Sequence, residues 1–244
     1  MSKLAVITGS SGGIGSALVD VFLSDNYSVI GIDSTNSGRN SEGFVGINTD
    51  LYEFTKNENY REQILNRIKN HLPERLDDFV LINNAAVQIL NPVSKLNLSD
   101  WDKTLTVNTM APFFLVQGFL EQLTKTHGHV INISSIHSRL TKANFSCYAT
   151  SKAALEALTR SLALELSVNG ISVNAIAPAA IATQMLKDGN ETFYTVEDGP
   201  KYYYDIPTKK YINIPSMTTL NNAIKTQKKD IYFYDDDHWS PTGA

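Results

Sequence analysis

Short runs of consecutive apolar residues recur along the chain up to about residue 186, at 3–8, 28–32, 44–48, 79–82, 129–134 and 171–175. Val and Ile dominate most of them, the pattern of strands covered on both faces. Between them, apolar residues recur at helical spacing over about 13–25, 57–71, 99–124 and 149–168. Pro112 falls inside the third of these and predicts a kink or a split there. Asn169-Gly170 supplies a stop signal for the fourth. Alternating strands and helices with connections of this length predict an α/β fold built on a doubly wound parallel sheet.

Beyond residue 186 the pattern changes. The segment 187–244 is rich in Tyr, Lys, Asp, Asn and Thr, carries Pro200, Pro207, Pro215 and Pro241, and offers only a helix near 217–228 and a strand at 230–234. The chain therefore divides into a main domain over 1–186 and an atypical C-terminal segment over 187–244 that is not expected to form a domain of its own.

Composition narrows the function classes. With 244 residues, 42% of them hydrophobic, the main domain can build a substantial core. A formal charge of −4 gives no basic footprint for nucleic acid. Cys147 is the single cysteine, which excludes an internal disulfide framework and fits a reducing compartment. Met1 leads almost directly into an apolar strand, without the basic start and long apolar stretch of a signal peptide. No run approaches the roughly eighteen apolar residues of a membrane span. A soluble cytoplasmic protein with a small-molecule substrate, and with neither nucleic acid nor membrane as partner, is the resulting expectation.

The first candidate site follows the first strand. Thr8-Gly9-Ser10-Ser11-Gly12-Gly13-Ile14-Gly15 runs directly into the helical Ser16-Ala17-Leu18-Val19. A glycine-rich turn between a first strand and a first helix lets backbone N–H groups approach a pyrophosphate closely. Asp33 closes the second strand, roughly twenty residues on, where a carboxylate accepts hydrogen bonds from ribose hydroxyls and repels a 2′-phosphate. Neither Gly12 nor Ser34 is basic, so NAD is preferred over NADP, while Arg39, the nearest cation, could compensate and admit NADP. The alternatives are an ordinary flexible turn and an Asp33 that merely shapes a bend.

The second candidate site joins Ser135 to Tyr148 and Lys152, the tyrosine thirteen residues after the serine and the lysine four after the tyrosine. On a helix, positions four apart share a face, so a phenol and an ammonium would share one small site. The ammonium then favours the phenolate and brings its proton exchange toward neutral pH. Such a pair taken alone is more often a solvated, structural one. Ser134 is the alternative hydroxyl, but strand alternation aims neighbours oppositely. His137 is a candidate for the substrate pocket, Arg139 and Lys142 for an acidic substrate or for solvent, and Cys147 for a small core position.

Together these motifs resemble a short-chain dehydrogenase/reductase of the compact, single-domain type over residues 3–186. The glycine turn matches T-G-x-x-x-G-x-G. Asp50-Leu51 resembles the pair that borders the adenine, and Asn83-Asn84-Ala85-Ala86 resembles N-N-A-G with a final Ala. Asn108 stands at the family's helix asparagine, and Pro178-Ala179-Ala180-Ile181-Ala182-Thr183 resembles P-G-x-I-x-T with Ala for Gly. The resemblance implies a Rossmann-like fold, hydride transfer between a nicotinamide and a secondary alcohol or ketone, and a homodimer or homotetramer. It implies Tyr148 as acid or base, Lys152 on the nicotinamide ribose, Ser135 orienting the substrate oxygen, and Asn108 fixing a water. Gly9, Ser11, Gly13, Ile14, Gly15, Asp33, Asp50, Leu51, Asn83, Ala85, Tyr148, Lys152, Ile181 and Thr183 would line the cofactor. No metal is expected in this site.

The tail departs from the family's usual ending. Ile206-Pro207-Thr208-Lys209, Tyr232-Phe233 and Asp236-Asp237-His238-Trp239-Ser240-Pro241-Thr242-Gly243-Ala244 look like part of an SGNH-type hydrolase or O-acetyltransferase of polysaccharide modification. Asp236 and His238 would be two members of a triad without its serine, or a weak divalent-cation site. From this likeness comes a sugar derivative as one candidate substrate. The competing readings are an NAD-binding protein whose altered C-terminus impairs or abolishes turnover, and a fragment of a carbohydrate O-acyl hydrolase or transferase.

Overall fold

The computed structural model describes residues 2–36 and 38–178, together with the backbone of 202–205 and 210–213. Six strands form one sheet: β1 (Lys3–Thr8), β2 (Ser28–Asp33), β3 (Phe44–Asn48), β4 (Asp78–Asn83), β5 (His129–Ile133) and β6 (Ser172–Ile176). Their order is β3-β2-β1-β4-β5-β6 and every pair is parallel. This is the doubly wound Rossmann-like topology, and it agrees with the fold class read from the sequence. Each strand stands within one or two residues of its expected position.

The uninterrupted apolar runs are explained by two separate cores. Along β1, Leu4 and Val6 point to one face while Ala5 and Ile7 point to the other. The second face is covered by α1 (Gly13–Ser24), whose Leu18, Val19 and Phe22 pack on Ala5, Ile7, Val29, Val80 and Ile82. The first face is covered by α2 (Leu51–Lys56), α3 (Glu58–Lys69), α5 (Ala111–Gly118), α6 (Leu120–Thr126) and α7 (Ser146–Leu166), while α4 (Leu98–Leu105) packs on α7. Phe54, Ile64, Ile68, Leu115, Phe119, Leu162 and Leu166 meet the sheet there.

The helical stretch expected over 99–124 is divided into α4, a π turn over Thr106–Met110, α5 and α6. Pro112 lies in the first turn of α5, directly after the π turn, which Ala111 closes with an N–H bond to the Thr106 carbonyl. Phe119, outside the helical region at φ −109° and ψ 13°, separates α5 from α6. The short α2 was not anticipated. Asp50 caps its start and Asn57 ends it in an extended conformation while capping α3, so one polar residue serves two helix ends.

Tyr202–Asp205 and Lys210–Asn213 form an antiparallel pair that the sequence reading did not anticipate. The helix expected at 217–228, the strand at 230–234, the boundary near 187 and the hydrolase-like Asp236–His238 run all lie outside the described residues.

Candidate active site

Parallel strands bring their C-terminal ends to one edge of the sheet. β1 and β4 are neighbours there, with β2 and β3 continuing one way and β5 and β6 the other. The crevice at such a switch point is where open α/β sheets bind ligands. The turn after β1, the segment after β4 and Ser135 after β5 all open onto this edge.

Gly12 precedes α1 in an extended conformation, φ −74° and ψ 169°, and no side chain caps the helix or places an acid in its first turn. Asp50 caps α2, Asn57 caps α3, and Asn97 and Asp100 form a reciprocal box on α4, whereas α5, α6 and α7, like α1, start without a side-chain cap. The first N–H groups of α1, at Gly13, Ile14 and Gly15, have no partner within their own helix and carry its positive dipole end. An anion satisfies both.

The turn is held from below by Thr8 and Asn84, two motif residues that were not among those expected to line the cofactor. The Thr8 hydroxyl accepts the backbone N–H groups of Asn84 and Ala85 at 2.9 and 3.0 Å. The Asn84 amide donates to the Thr8 and Gly9 carbonyls at 2.9 and 3.1 Å. Gly9 sits at φ +65°, and a Cβ on Gly15 would lie 1.9 Å from its carbonyl oxygen. Gly15→Ala should therefore lower stability by at least about 2 kcal/mol and weaken NADH binding at least roughly tenfold. Gly12→Ala is the control for stability, because its Cβ would meet nothing nearer than the same oxygen at 3.4 Å. Thermal denaturation and NADH fluorescence titration of both variants check this; equal melting temperatures would refute the crowding argument.

Asp33 ends β2 beside this turn. Its Oδ2 accepts the Ser11 N–H at 2.8 Å, and its Oδ1 accepts the Thr35 N–H and hydroxyl at 3.0 and 2.9 Å. The carboxylate is thus fixed in orientation against the glycine turn. Arg39 is engaged elsewhere: its guanidinium pairs with Asp20, donates to the Ser16 hydroxyl at 2.9 Å and lies over the Phe44 ring. Asp50 accepts the Tyr52 N–H as a cap, and Leu51 is buried in the core. Asn83 is buried and donates to Asn132 at 2.8 Å, which in turn donates to Thr159 at 2.9 Å. Ala85 lies on the Thr8 hydroxyl as described, while Ile181 and Thr183 lie outside the described residues.

At the end of β5 the structure brings Ser135, Tyr148 and Lys152 together. The two serines point apart, as strand alternation requires: Ser134 donates to Glu156 at 3.1 Å, whereas Ser135 lies on the Tyr148 side, near enough to oppose the effect of burial on the phenol's pKa. α7 begins at Ser146, three residues earlier than the periodicity suggests, so Tyr148 lies in its first turn and Lys152 one turn later. Ser135 Oγ accepts the His137 N–H at 3.2 Å. His137 stacks on Phe145 with ring centroids 4.2 Å apart, and both rings lie near Tyr148. Burial and the Lys142 ammonium hold its imidazole below the usual range.

The expected acidic phenol is not what the protein alone provides. Burial pushes the Tyr148 phenol above its ordinary value, opposed only by the nearby Ser135 hydroxyl. Lys152 is equally buried, its pKa lowered to about 8 by desolvation, and its ammonium donates to the Ile133 carbonyl at 2.7 Å. Its Nζ stands 5.8 Å from the centre of the phenol ring. Loss of solvent outweighs mutual attraction at this separation, so both groups are held toward their neutral forms.

Asn108 occupies the π turn and is wholly buried. Its side chain accepts the Val87 N–H at 2.8 Å and donates to the Val87 carbonyl and to Ser151 Oγ, each at 2.9 Å. Ser151 donates to the Tyr148 carbonyl at 2.7 Å, which ties the π turn to the first turn of α7. Helical spacing from Tyr148 and Lys152 could have singled out Ser151 and Glu156 in advance. Cys147 is fully buried, its thiol pushed up by desolvation. Among the described residues no group of His, Cys, Asp and Glu could hold a metal ion, and no helix is long and apolar enough to cross a membrane.

An uncapped helix behind a glycine turn, at the switch point of a parallel sheet, beside a Ser-Tyr-Lys cluster, defines a dinucleotide-binding oxidoreductase. Residues 3–193 match the short chain dehydrogenase family. The chain belongs to that family, whose members use a nicotinamide cofactor. An NAD-dependent glycerol dehydrogenase of Listeria innocua is 31% identical over 189 residues, covering 76% of this chain and 73% of the relative. Glucose 1-dehydrogenase 2 of Bacillus subtilis is 30% identical over 220 residues, covering 86% and 82%. A 4-hydroxyisoleucine dehydrogenase complexed with NADH superposes with a TM-score of 0.68 at 27% identity, covering 77% of each chain.

Proposed function

We propose that the protein is an NAD(H)-dependent oxidoreductase that interconverts a secondary alcohol and a ketone. The observation that carries this reading is the phenol of Tyr148, beside Ser135 and followed one helical turn later by a buried Lys152, at the carboxyl edge of the sheet. The relatives named for glycerol and glucose dehydrogenation support a polyol or sugar derivative as substrate.

The glycine turn fits a dinucleotide. Gly15 has no room for a side chain, Gly12 leaves its side of the turn open, and the bare first turn of α1 suits a diphosphate. Gly9, Ser11, Gly13, Ile14 and Gly15 would hold that diphosphate, Asp33 the adenosine ribose, and Lys152 the nicotinamide ribose. When bound, the cofactor supplies or accepts the hydride and, in its oxidised form, adds positive charge beside the phenol. Tyr148 gives a proton to the substrate oxygen in reduction and removes it in oxidation. Ser135 donates a hydrogen bond to the same oxygen, its lone pair already engaged by the His137 N–H. Asn108, through Ser151, keeps the first turn of α7 seated.

NAD is favoured over NADP because the Asp33 carboxylate is fixed at the turn while Arg39 is paired with Asp20. NADPH should bind at least roughly tenfold more weakly than NADH, and Asp33→Ser, which removes the charge, should bring the two within about threefold. Fluorescence titration with both cofactors tests this, and equal affinities for the unaltered protein would overturn it. Turnover across keto-sugars and small ketones tests the activity. NADH binding without turnover on any of them would favour the binding-protein reading.

A further inference from the structure

Glu156 is a carboxylate at the level of the site that the chemistry above does not use. It stands one turn beyond Lys152 and two beyond Tyr148 on α7, and is 7% exposed. Oε1 accepts the Ser134 hydroxyl at 3.1 Å and the Ser138 hydroxyl at 2.5 Å, and Oε2 accepts Arg139 Nε at 3.1 Å. These donors bracket Ser135: Ser134 precedes it, Ser138 and Arg139 follow it. The Ser138 hydroxyl also reaches the Ser135 carbonyl at 2.7 Å, so its one proton is shared between that carbonyl and the carboxylate.

We infer that Glu156 is a positioning residue, clamping the 134–139 loop to α7 so that the Ser135 hydroxyl stays aimed at Tyr148 and the substrate oxygen. The inference rests on the reading of Ser135 and Tyr148 as the reacting pair. An ordinary ion pair with Arg139 does not account for the arrangement, because Oε1 faces two serines that flank Ser135, and the Ser134 hydroxyl also reaches the Lys152 carbonyl at 3.4 Å. Displacement of a reacting group by about an ångström is enough to cost about a hundredfold in rate. A buried carboxylate that accepts from both sides of Ser135 prevents that displacement at its source.

The test compares the full-length protein with Glu156→Leu, which removes the acceptors, and Glu156→Gln, which keeps an acceptor for the serines. Four quantities are read: kcat and KM on whichever ketone of the panel turns over, NADH affinity, and the phenol titration of Tyr148. The last is the difference in ultraviolet absorbance between each form and the same form carrying Tyr148→Phe. Glu156→Leu should lower kcat at least roughly tenfold, leave NADH affinity within about twofold, and move the phenol titration upward as the Ser135 hydroxyl is displaced. Glu156→Gln should retain kcat within about threefold. Unchanged kcat and phenol titration in Glu156→Leu, with only the melting temperature lowered, would overturn the inference. So would equal losses in both variants.

Should Glu156→Leu not fold, Ser138→Ala removes one anchor and is held to the same criteria at about threefold in kcat. Should the unaltered protein turn over nothing, the oxidoreductase reading fails separately, and the phenol titration still decides whether Glu156 sets the Ser135–Tyr148 contact.

Discussion

Replacing Tyr148 by Phe is expected to lower turnover by about a thousandfold while leaving NADH affinity within about twofold. The ring itself is a core element, packed with Phe145, Ala149 and Leu90, and Phe preserves that volume. Only the phenolic oxygen is lost, so stability should fall by about 1 kcal/mol or less. The pH dependence follows from the same burial. Because the phenol is held above its ordinary value of 10.0, it carries its proton throughout the neutral range. Ketone reduction, which needs the protonated form, should therefore be flat up to alkaline pH. Alcohol oxidation, which needs the phenolate, should rise with pH across the same interval. Rates in both directions between about pH 6 and 10 check this, and a reduction rate that already falls near neutral pH would contradict the effect assigned to burial.

The fold was legible because burial on both faces leaves a strong trace. Ala5 and Ile7 need α1 while Leu4 and Val6 need the opposite layer, so no polar residue can interrupt the run. The long helical stretch was harder to read. Its apolar periodicity continues through Asn108, whose π turn exists to seat an amide on the Val87 backbone, a contact 21 residues away in sequence. Local spacing carries no record of such a partner. α2 escaped because six residues hold under two helical turns, too few for a periodic signal.

The site divides along a similar line. Residues whose neighbours in sequence define their role, such as the glycines and the Tyr148–Lys152 pair, were visible as motifs. Thr8 and Asn84 were not chosen, although they hold the glycine turn across 76 residues, because β1 and β4 become neighbours only in the folded sheet. Arg39 stood as an undecided cation until Asp20, on a different element, proved to be its partner. The electrostatics could not be read from spacing at all. An i, i+4 pair states which groups face the same way but not how much solvent either retains, and here burial decides the direction for both Tyr148 and Lys152.

Lys152→Met is expected to reduce turnover by at least about a hundredfold and yet to give a more stable protein at neutral pH. The ammonium titrates at about 8 in the folded chain against 10.5 for a free lysine. Folding therefore opposes the protonated form, and below pH 8 that opposition costs about 3 kcal/mol. As pH rises from 8 toward 10.5 the folded state releases the proton first, the unfolded state holds more protons, and the penalty fades. Met fills nearly the same volume without charge, but it leaves the Ile133 carbonyl without its donor, a loss of about 1–2 kcal/mol. A net gain of about 1–2 kcal/mol at pH 7, shrinking or reversing by about pH 9.5, is the outcome of these opposing terms. Urea denaturation of both proteins at several pH values isolates it, since every other titrating group cancels in the difference. A Met variant less stable than its parent by the same margin at every pH would mean that the lysine is not held against its charge. The site would then owe nothing to burial for a proton it can exchange near neutrality.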